Sequence, residues 1–586
     1  MKRILSILIL AMTVSVVFGG PIDYHRARQI AQDFINQQRA SVVEVAYVEE
    51  NPGAAVNVIQ GNVSRQPAYY AFNAVDGEGF VLVASDDAFP QVLGYSDTGH
   101  FGVGDEMPHA LRRMLDNFEA YASDLHLGLV DAPDVEAKRR QTDFKEVAAL
   151  IDSKWTQSSP YNLHIPKVNG RPGYVGCVGL AMAQIMRYYK YPSKPVFTGS
   201  MNWEIDGSSK TTSFSFSDLT FDYDNMPATI TSFSPITQRN AVAKICAAAS
   251  VASKSLLMED GTGAFDCDAM VAYYDVFGYS KASLETVYRD CYATQEEWDQ
   301  LLYNEIMAGR PVQMGALSSS DNYAHAFILD GIDEKGYLHV NWGWGGTSNG
   351  FYAIPYMNPS GQGSIYSDDQ CAIIGIQKPQ SDDEVLKQTS VMSFIPLAVG
   401  QNSISRDDAF LVYMGEFYNY YTFPHTFTLG VGLFNKEGQL VENVCQLSSE
   451  DLTVAFDGFV GLIDTIGAIG GSGLECRIPA TCPDGAYTLR LITKEKGYTE
   501  WREPDVVGGR ALNRVPVVVK STQVLFNENA SSIGRVETET SADLSSGQYY
   551  SIDGIHITRP QSGQVYLERK TSSQGKVSVI KRVMTK

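Results

Sequence analysis

The spacing of apolar residues changes character near residue 378, and this change limits the architectures open to the chain. Before that point, apolar residues at every third or fourth position alternate with short strand-like runs. After it, segments such as FTLGVGLFN, YTLRLITKE and RVPVVVKS alternate apolar and polar residues between Gly, Asp and Asn turns, as a β-sandwich does. A chain of 586 residues is also too long for one hydrophobic core. The sequence therefore predicts an α+β protein followed by all-β domains.

Composition excludes some classes of partner and site. The chain is 44% hydrophobic and 19% charged, which suits packed cores, and its formal net charge is −21. Such acidity argues against nucleic acid as a partner. Eight cysteines without a CxxC pair or regular spacing predict neither a zinc site nor a dense disulfide framework. Cys476 and Cys482 are close enough in sequence to bridge within one loop, and Cys445 could compete for either.

The N-terminus has the features of an export signal. Lys2 and Arg3 precede the apolar run ILSILILAMTVSVVFGG, which ends in small residues and is followed at once by polar sequence. A membrane anchor is the alternative, but the run is short for a spanning helix. We therefore expect a signal peptide over residues 1–20 and a protein that is secreted or held at the cell surface.

A small α+β unit is predicted to follow the signal. DYHRARQIAQDFINQQ has helical spacing, GFVLVASDDAFPQVLGYSDTG indicates two strands around an acidic turn, and MPHALRRMLDNFEAYASDLHL indicates an amphipathic helix. Residues 131–148 lack apolar periodicity and include the basic run Lys138-Arg139-Arg140. They are expected to form an exposed linker, where proteolysis concentrates.

Cys177 is the candidate nucleophile. The segment GYVGCVGLAMAQIMRYYKYP passes from a Gly-rich turn into a helix that Pro192 stops, which places Cys177 at or near the first turn. The positive end of the helix dipole favours a thiolate there and lowers its pKa. A buried structural cysteine is the alternative. Gly173, Gly176 and Gly179 favour the nucleophile, because small neighbours let a substrate backbone approach the sulfur.

His325 is the candidate base. In NYAHAFILDGIDEKGYLHVNWGWGGTSNGFY, two strand-like runs flank a DEKG turn, which would place His325 opposite residues 343–345 and close to Asn341–Trp344. His339 has a plausible structural role on the second strand, and His164 lies in a loop-like segment. The sequence contains no HExxH motif, GxSxG elbow or GxxxxGK[ST] loop.

Four segments together carry a family resemblance. WTQSSPYN, GCVGLAMAQIMRYY, AHAFILDGID and YLHVNWGWGGTSNGFY resemble, in this order, the streptopain family of secreted cysteine peptidases. The resemblance covers about residues 149–378, and a looser likeness at GFVLVASDDAFPQVLGYSDTGHF reaches the family's propeptide. It implies a propeptide over 21–147, a papain-like catalytic domain over 148–378 and a β-sandwich-like domain over 379–525.

The resemblance also implies roles for single residues. Cys177 would be the nucleophile and His325 the general base and acid. The side-chain amide of Gln157 would form the oxyanion hole together with the backbone N–H of Cys177. Asn341 and Trp342 share the assignment of orienting the histidine. The resemblance also implies that Gly263 and Ala324 line the substrate cleft, and Trp344 is expected from its apolar character to belong to a second subsite. Gly263 stands where the family has a serine, which leaves the contacts of that loop open.

The implied activity is that of a cysteine endopeptidase made as a zymogen. Its partners would be protein or peptide substrates and its own propeptide as an intramolecular inhibitor, and it would act as a monomer. Thiolate attack and an acyl-enzyme need no metal or organic cofactor. Two alternatives remain: a papain-like acyl transferase with the same catalytic groups, and a catalytically idle adhesin whose β-rich C-terminal half binds.

Residues 526–586 form a polar linker and a strand-rich tail. The segment YYSIDGIHITRPQSGQVYLERKTSSQGKVSVIKRVMTK predicts three or four short strands with a basic end. It resembles the C-terminal sorting domains of type IX secretion cargo. A final hairpin of the preceding β-domain is the alternative.

Overall fold

A computed structural model gives the fold of most of the chain. It describes residues 20–39, 43–48, 67–126, 133, 144–207, 211–318, 323–357, 370–387, 391–419, 421, 425–446, 452–454, 474–526, 537–540, 548–551, 556–557, 565–571 and 577–585. The expected signal peptide, most of the expected linker 131–148 and most of the polar stretch after residue 526 lie outside them. None of the described helices combines the length and apolar character needed to cross a membrane.

The α-helices follow the predicted periodicity. They are α1 (Tyr24–Arg39), α2 (His109–His126), α3 (Cys177–Tyr189), α4 (Ile236–Ala252), α5 (Asp266–Asp275), α6 (Gln295–Met307) and α7 (Ile354–Met357). Helix α1 buries Ala27, Ala31 and Ile35, which are spaced one helical turn apart and form a single apolar stripe. The helices predicted around residues 24–38 and 109–127 and after Cys177 are confirmed.

Strands up to residue 374 alternate with these helices. They are β1 (Val45–Tyr47), β2 (Tyr69–Ala74), β3 (Phe80–Ala84), β4 (Val92–Ser96), β5 (Lys167–Val168), β6 (Arg171–Pro172), β7 (Ser200–Ile205), β8 (Thr212–Ser215), β9 (Leu256–Leu257), β10 (Thr262–Gly263), β11 (Glu285–Tyr288), β12 (Val312–Ser318), β13 (Tyr323–Ile332), β14 (Leu338–Asn341), β15 (Gly350–Tyr352) and β16 (Cys371–Ile374). Strands β3 and β4 are buried along their whole length and are apolar at nearly every position, as strands covered on both faces are.

The chain divides into two compact units. One comprises Met1–Lys154 with Ile328–Pro359, and the other Trp155–Phe327 with Ser360–Lys586. In the first, neighbouring strands run antiparallel in the order β1-β2-β3-β4-β15-β14-β13. In the second, β12, β16 and β11 are neighbours, and β10-β9-β7-β8 forms a separate sheet. Residues 328–332 of β13 belong to the first unit.

The last residues of the expected linker are held in place. Val147 and Ile332 exchange backbone hydrogen bonds of 2.8 and 2.9 Å, and the ring of Phe144 packs against Gly336. Gly336 has a φ of +83°, so a side chain there would be strained as well as crowded. The segment lacks apolar periodicity, so its sequence gives no sign that Val147 pairs with the end of β13.

After residue 386 the chain forms two β-sheets packed on one core. The strands are β17 (Val391–Val399), β18 (Ser403–Ser405), β19 (Phe410–Asn419), β20 (His425–Phe434), β21 (Leu440–Gln446), β22 (Leu452–Val454), β23 (Leu474–Cys476), β24 (Gly485–Glu495), β25 (Asp505–Val506), β26 (Val515–Val519) and β27 (Gln523–Phe526). The sheet orders are β23-β19-β17-β25 and β18-β27-β26-β24-β20-β21, with β22 also on β20. Both sheets contribute buried side chains to one apolar cluster, which confirms the predicted sandwich.

A further sheet occupies the C-terminal tail. Its strands are β28 (Glu537–Thr540), β29 (Gln548–Ser551), β30 (His556–Ile557), β31 (Val565–Thr571) and β32 (Val577–Thr585), in the order β28-β32-β31-β29-β30. The short strands predicted for the tail are present. Together these elements give the predicted α+β fold with β-sandwich-like parts behind it.

Candidate active site

Helix α3 begins at Cys177, as the sequence predicts. Its N-cap is Gly176, whose φ of +88° favours glycine. A Cβ added at Gly176 would lie 2.9 Å from Cγ2 of Thr262, so the glycine lets β10 approach the start of the helix. A Cβ added at Gly179 would lie 2.8 Å from Cα of Ser250 on α4. These two glycines therefore fix the position of the nucleophile helix between its neighbours.

The thiol of Cys177 differs from the sequence-based expectation. Burial raises the pKa of Cys177, and the negative charge of Asp266 adds to the rise, whereas a hydrogen bond from the backbone N–H of Ala326 opposes it. Local N–H groups at the start of α3 oppose it further. The helix terminus does favour the thiolate, but desolvation outweighs it.

Gln157 lies beside the loop that leads to the nucleophile. Its backbone carbonyl accepts a hydrogen bond of 3.0 Å from the N–H of Val175. The neighbouring Trp155 is fully buried and donates through its indole N–H to the carbonyl of Pro227 at 3.1 Å. The segment that carries Gln157 is therefore anchored within two residues of Cys177, where an oxyanion donor is needed.

Gly263 lies on the short strand β10 next to the same loop. The hydroxyl of Thr262 donates to the carbonyl of Tyr174 at 3.0 Å, which ties β10 to the residues before Cys177. A Cβ added at Gly263 would meet only Cε of Met258, at 3.7 Å. A serine in this position would therefore fit without displacing the backbone.

His325 lies near the start of β13, and its side chain is only 4% exposed. The next residue, Ala326, is the one whose N–H donates to the sulfur of Cys177. The strand of the candidate base and the helix of the candidate nucleophile therefore meet at the thiol. The side chain of Ala324 lies outside the described residues.

The Asn-Trp-Gly run belongs to the other compact unit. Asn341 is buried, its amide donates to the carbonyl of Ser153 at 2.8 Å, and its side-chain oxygen accepts from the N–H of Gly343 at 3.1 Å. The indole of Trp342 donates to the carbonyl of Ser348 at 3.0 Å. Strand pairing places Ile328 opposite Asn341, and the predicted turn forms between β13 and β14.

A buried pair next to this run was not found from the sequence. Nδ1 of His339 lies 2.6 Å from the carboxylate of Asp330, which is fully buried. The other carboxylate oxygen accepts from the N–H of Ile151 at 2.7 Å. Strand pairing sets His339 opposite Gly331, and Asp330 lies at an irregularity of β13 between Leu329 and Gly331. A regular hairpin register read from the sequence would therefore not have brought the two together.

Residues 92–109 contact the segment that carries the Asn-Trp-Gly run, within the same unit. Strand β4 pairs with β15, so that Tyr95 lies opposite Phe351, and the hydroxyl of Tyr95 donates to Asp333 at 3.0 Å. Two further contacts involve the loop after the run. The N–H of Ser348 donates to the carbonyl of His100 at 2.9 Å, and its hydroxyl accepts from Gly102 at 3.0 Å.

His109, the first residue of α2, packs edge-on against Trp344. Their ring centroids are 5.2 Å apart and the rings are almost perpendicular. Partial burial lowers the pKa of His109, and Arg112 and Arg113 lower it further, against the opposing effect of Asp105. The contact therefore favours a neutral imidazole against the indole.

Residues 155–352 match the sequence model of the Peptidase C10 family, and residues 19–122 match that of the Spi protease inhibitor. The structure of active interpain A cysteine protease from Prevotella intermedia is 30% identical and is covered over 99% of its length. Residues 155–352 are therefore similar to peptidases of the C10 family. The predicted family resemblance is thereby confirmed over the matched residues, and a match to an inhibitor model precedes it in the chain.

Other relatives match different lengths of the chain. The thiol protease/hemagglutinin PrtT of Porphyromonas gingivalis is 26% identical over 547 residues, which is 90% of this chain and 60% of that protein. This chain therefore spans less than two thirds of that relative. Streptopain of Streptococcus pyogenes is 28% identical over 53% of this chain and 80% of its own length. The interpain A structure above covers 42% of this chain with a TM-score of 0.36, and a prointerpain A fragment is 28% identical over 54% of this chain and 97% of its own, with a TM-score of 0.45.

Proposed function

We propose that this chain is a C10 family cysteine endopeptidase made as a zymogen, with Cys177 as nucleophile and His325 as general base and acid. The observation that carries the proposal is the hydrogen bond from Ala326 to the sulfur of Cys177, because it brings the residue after His325 to the thiol. Active-site titration with a thiol-alkylating epoxide tests it against an idle adhesin, which would not be labelled. Product analysis with a peptide and an added amine tests it against an acyl transferase, which would form the amide with the amine.

The proposed reaction is acyl transfer to water. The thiolate of Cys177 adds to the peptide carbonyl, and the resulting oxyanion accepts hydrogen bonds from the Gln157 amide and the Cys177 backbone N–H. His325 protonates the leaving amine and then takes a proton from the water that hydrolyses the acyl-enzyme. In this scheme Asn341 or Trp342 orients the imidazole. Gly263, Ala324 and Trp344 line the cleft.

Gln157→Ala is expected to lower kcat by about 10²–10³-fold, with a small change in KM, because an oxyanion donor acts mainly in the transition state. Steady-state kinetics on a fluorogenic peptide measures both constants. Gln184→Ala is not a suitable comparison, since Gln184 is buried in α3. Gln300→Ala is suitable, because Gln300 contacts Asn304 on the exposed side of α6. A large rise in KM at unchanged kcat would contradict the oxyanion role.

Residues 21–147 are proposed to act as the removable inhibitor of a catalytic domain over 148–378. The support is that β4 adds to β15 and that residues 100–109 contact the loop containing Trp344 and Ser348. A propeptide seated there would cover the segment that the proposal assigns to the substrate cleft. Its removal would require cleavage within 131–148 and release of β4 from β15.

Acidification is expected to speed up this conversion a few-fold. While His109 packs against Trp344, its pKa lies below the ordinary value of 6.5. Below pH 6.5, His109 therefore binds more protons once the propeptide has been released than while it is packed. The contact with Trp344 is at full strength above the ordinary value and weakens as the pH falls through the lowered pKa. Solvent exposure of His109 limits the effect. The measurement is the rate of chain shortening between pH 7.5 and about 5.

Two variants separate this contact from the pH dependence of catalysis. The rate of chain shortening at each pH is divided by the activity of the converted enzyme on a peptide at the same pH. His109→Gln removes the titrating group and is expected to flatten the pH dependence of this ratio. His25→Gln is the matched control, since His25 is an exposed histidine of the same propeptide. If His109→Gln keeps the full acid dependence, the contact is not the acid-sensitive element.

Export and sorting are proposed from the sequence. The signal over 1–20 would take the chain across the inner membrane, and the tail, within 526–586, would direct it across an outer membrane. Export is supported by the resemblance to a family of secreted peptidases. The sorting role of the tail is supported by the separate sheet formed by β28–β32. Deleting residues 546–586 is expected to leave peptidase activity unchanged and to retain the enzyme in the periplasm. Normal release of the deleted form would leave the tail as a structural part of the β-region behind 379–525.

A further inference from the structure

Two cysteines lie on the outermost strands of the two sandwich sheets. Among the described strands, β21 ends the sheet β18-β27-β26-β24-β20-β21 and carries Cys445, and β23 ends the sheet β23-β19-β17-β25 and carries Cys476. Cys476 is buried in the core between the sheets, and Cys445 packs against that core while keeping some exposure. Both thiols therefore face the same apolar interior from opposite sheets.

The backbone brings these two positions face to face. The N–H of Arg477 donates to the carbonyl of Val444 at 3.4 Å, which joins the residue after Cys476 to the residue before Cys445. In an antiparallel arrangement, this pairing sets Cys445 opposite Cys476. The side chains of Cys445 and Cys476 are close enough to shift each other's pKa. The two sulfurs are therefore already adjacent without any change of the strands.

Cys482, the partner that sequence proximity suggests for Cys476, is engaged elsewhere. Its thiol points to the carbonyl of Pro483 at 3.7 Å and contacts the hydroxyl of Tyr487. Its backbone N–H donates to Pro479 at 2.9 Å, which closes a tight turn. Closeness along the chain thus does not bring Cys482 to Cys476, whereas the packing of the two sheets does so for Cys445.

We propose that Cys445 and Cys476 form a disulfide bond that joins the two sandwich sheets when the protein meets a thiol-oxidising environment. The cellular setting, but not the pairing, rests on the export proposed above. The oxidant is a disulfide, either of an oxidoreductase or of oxidised glutathione. The thiolate of Cys445 attacks one of its sulfurs and forms a mixed disulfide, and one thiolate leaves. The thiolate of Cys476 then attacks Cys445 Sγ, forms the bridge and releases the second thiolate, so that two thiol protons are lost and one disulfide is reduced.

The order of attack follows from the environment of the two sulfurs. The side-chain interaction with Cys476 lowers the pKa of Cys445, whereas the same interaction and burial raise that of Cys476. Cys445 is also the more exposed of the two, so it is the sulfur that an external disulfide can reach. Once formed, the bridge would close the chain between β21 and β23 and hold two sheet edges together. Such a link restricts the unfolded chain and leaves less edge backbone open to other strands.

The test uses the full chain with Cys177→Ala, so that neither peptidase activity nor self-cleavage enters the result. The protein is incubated with oxidised glutathione, free thiols are alkylated under denaturing conditions, and a second alkylating reagent is added after reduction. Peptide mapping before reduction is expected to show Cys445 and Cys476 linked, with a mass lower by two hydrogen atoms. After reduction these two cysteines are expected to carry the second reagent, and Cys482 the first. All three labelled by the first reagent, or a link that includes Cys482, would overturn the pairing.

A stability measurement distinguishes the bond from simple packing. Thermal unfolding of the oxidised chain is expected to shift to lower temperature on adding dithiothreitol, and Cys445→Ala is expected to abolish that shift. Cys482→Ala removes a neighbouring thiol of the same core, and this variant is expected to show the same dithiothreitol-induced shift as its parent. If dithiothreitol shifts the Cys445→Ala variant as much as its parent, the bridge is not the source. If no chain shows a shift although the mapping finds the link, the stabilising role is rejected and the pairing stands.

Discussion

Replacing Cys177 with alanine is expected to lower the hydrolysis of a peptide substrate by on the order of 10⁴-fold or more, because the reaction has no other nucleophile in the proposed scheme. The same variant is expected to remain full length on incubation, whereas the unmodified chain shortens within residues 131–148. The fold should be retained, since alanine at the first position of α3 removes one sulfur and favours the helix. Initial rates on a fluorogenic peptide, gel analysis of the chain and circular dichroism measure the three outcomes.

A matched control separates loss of the nucleophile from loss of a thiol. Cys246 is a fully buried cysteine on α4, the helix that packs against α3 through Gly179 and Ser250. Cys246→Ala is expected to cost some stability and to leave kcat/KM of the folded enzyme within a few-fold of the unmodified chain. Residual activity of Cys177→Ala within tenfold of the unmodified enzyme would show that another group attacks the substrate.

The sequence predicts the local parts of the site and misses what depends on packing. The Gly-rich turn before an apolar helix places Cys177 at the start of α3, because glycine and helical spacing act over a few residues. The state of its thiol is decided by burial and by Asp266, which lies far along the chain. The N–H groups at the helix start lower the pKa of Cys177, as the local rule predicts, but burial outweighs them and gives the net rise. Periodicity contains no information about which distant groups desolvate a side chain.

For the strands, too, the sequence predicts the local element but not its distant partner. The spacing of GFVLVASDDAFPQVLGYSDTG predicts β3 and β4 as strands, and alternation predicts the strands of the sandwich. It does not predict that β4 adds to β15, or that Tyr95 bonds Asp333, which lies 238 residues further along the chain. Gly94 makes this pairing sterically feasible, since a Cβ there would lie 2.6 Å from the ring of Tyr352. A glycine in a strand indicates a close approach but not the partner.

The three histidines around the catalytic segment are expected to separate into catalytic, structural and neutral roles. His325→Ala is expected to lower kcat/KM by on the order of 10⁴-fold, and the double variant with Cys177→Ala is expected to be no less active than either single one, because the two groups act as a unit. His164→Ala is the control, since His164 is exposed in a loop of the same compact unit as His325. It is expected to keep the activity of the unmodified enzyme.

His339 gives the contrasting result, in which stability falls and catalysis does not. Removing its ring takes from the fully buried carboxylate of Asp330 the imidazole 2.6 Å away and leaves the N–H of Ile151 as a donor, and such a loss costs about 1–3 kcal/mol of unfolding free energy. His339→Asn restores a side-chain N–H to Asp330 and is expected to recover part of that loss. Unfolding curves and kcat/KM per active site, titrated with the epoxide, separate the two effects. A packing defect alone would not slow the active sites that still form. If His339→Ala lost turnover per titrated site, and His339→Asn lost as much, His339 would instead belong to the catalytic machinery and the choice of base would be reopened.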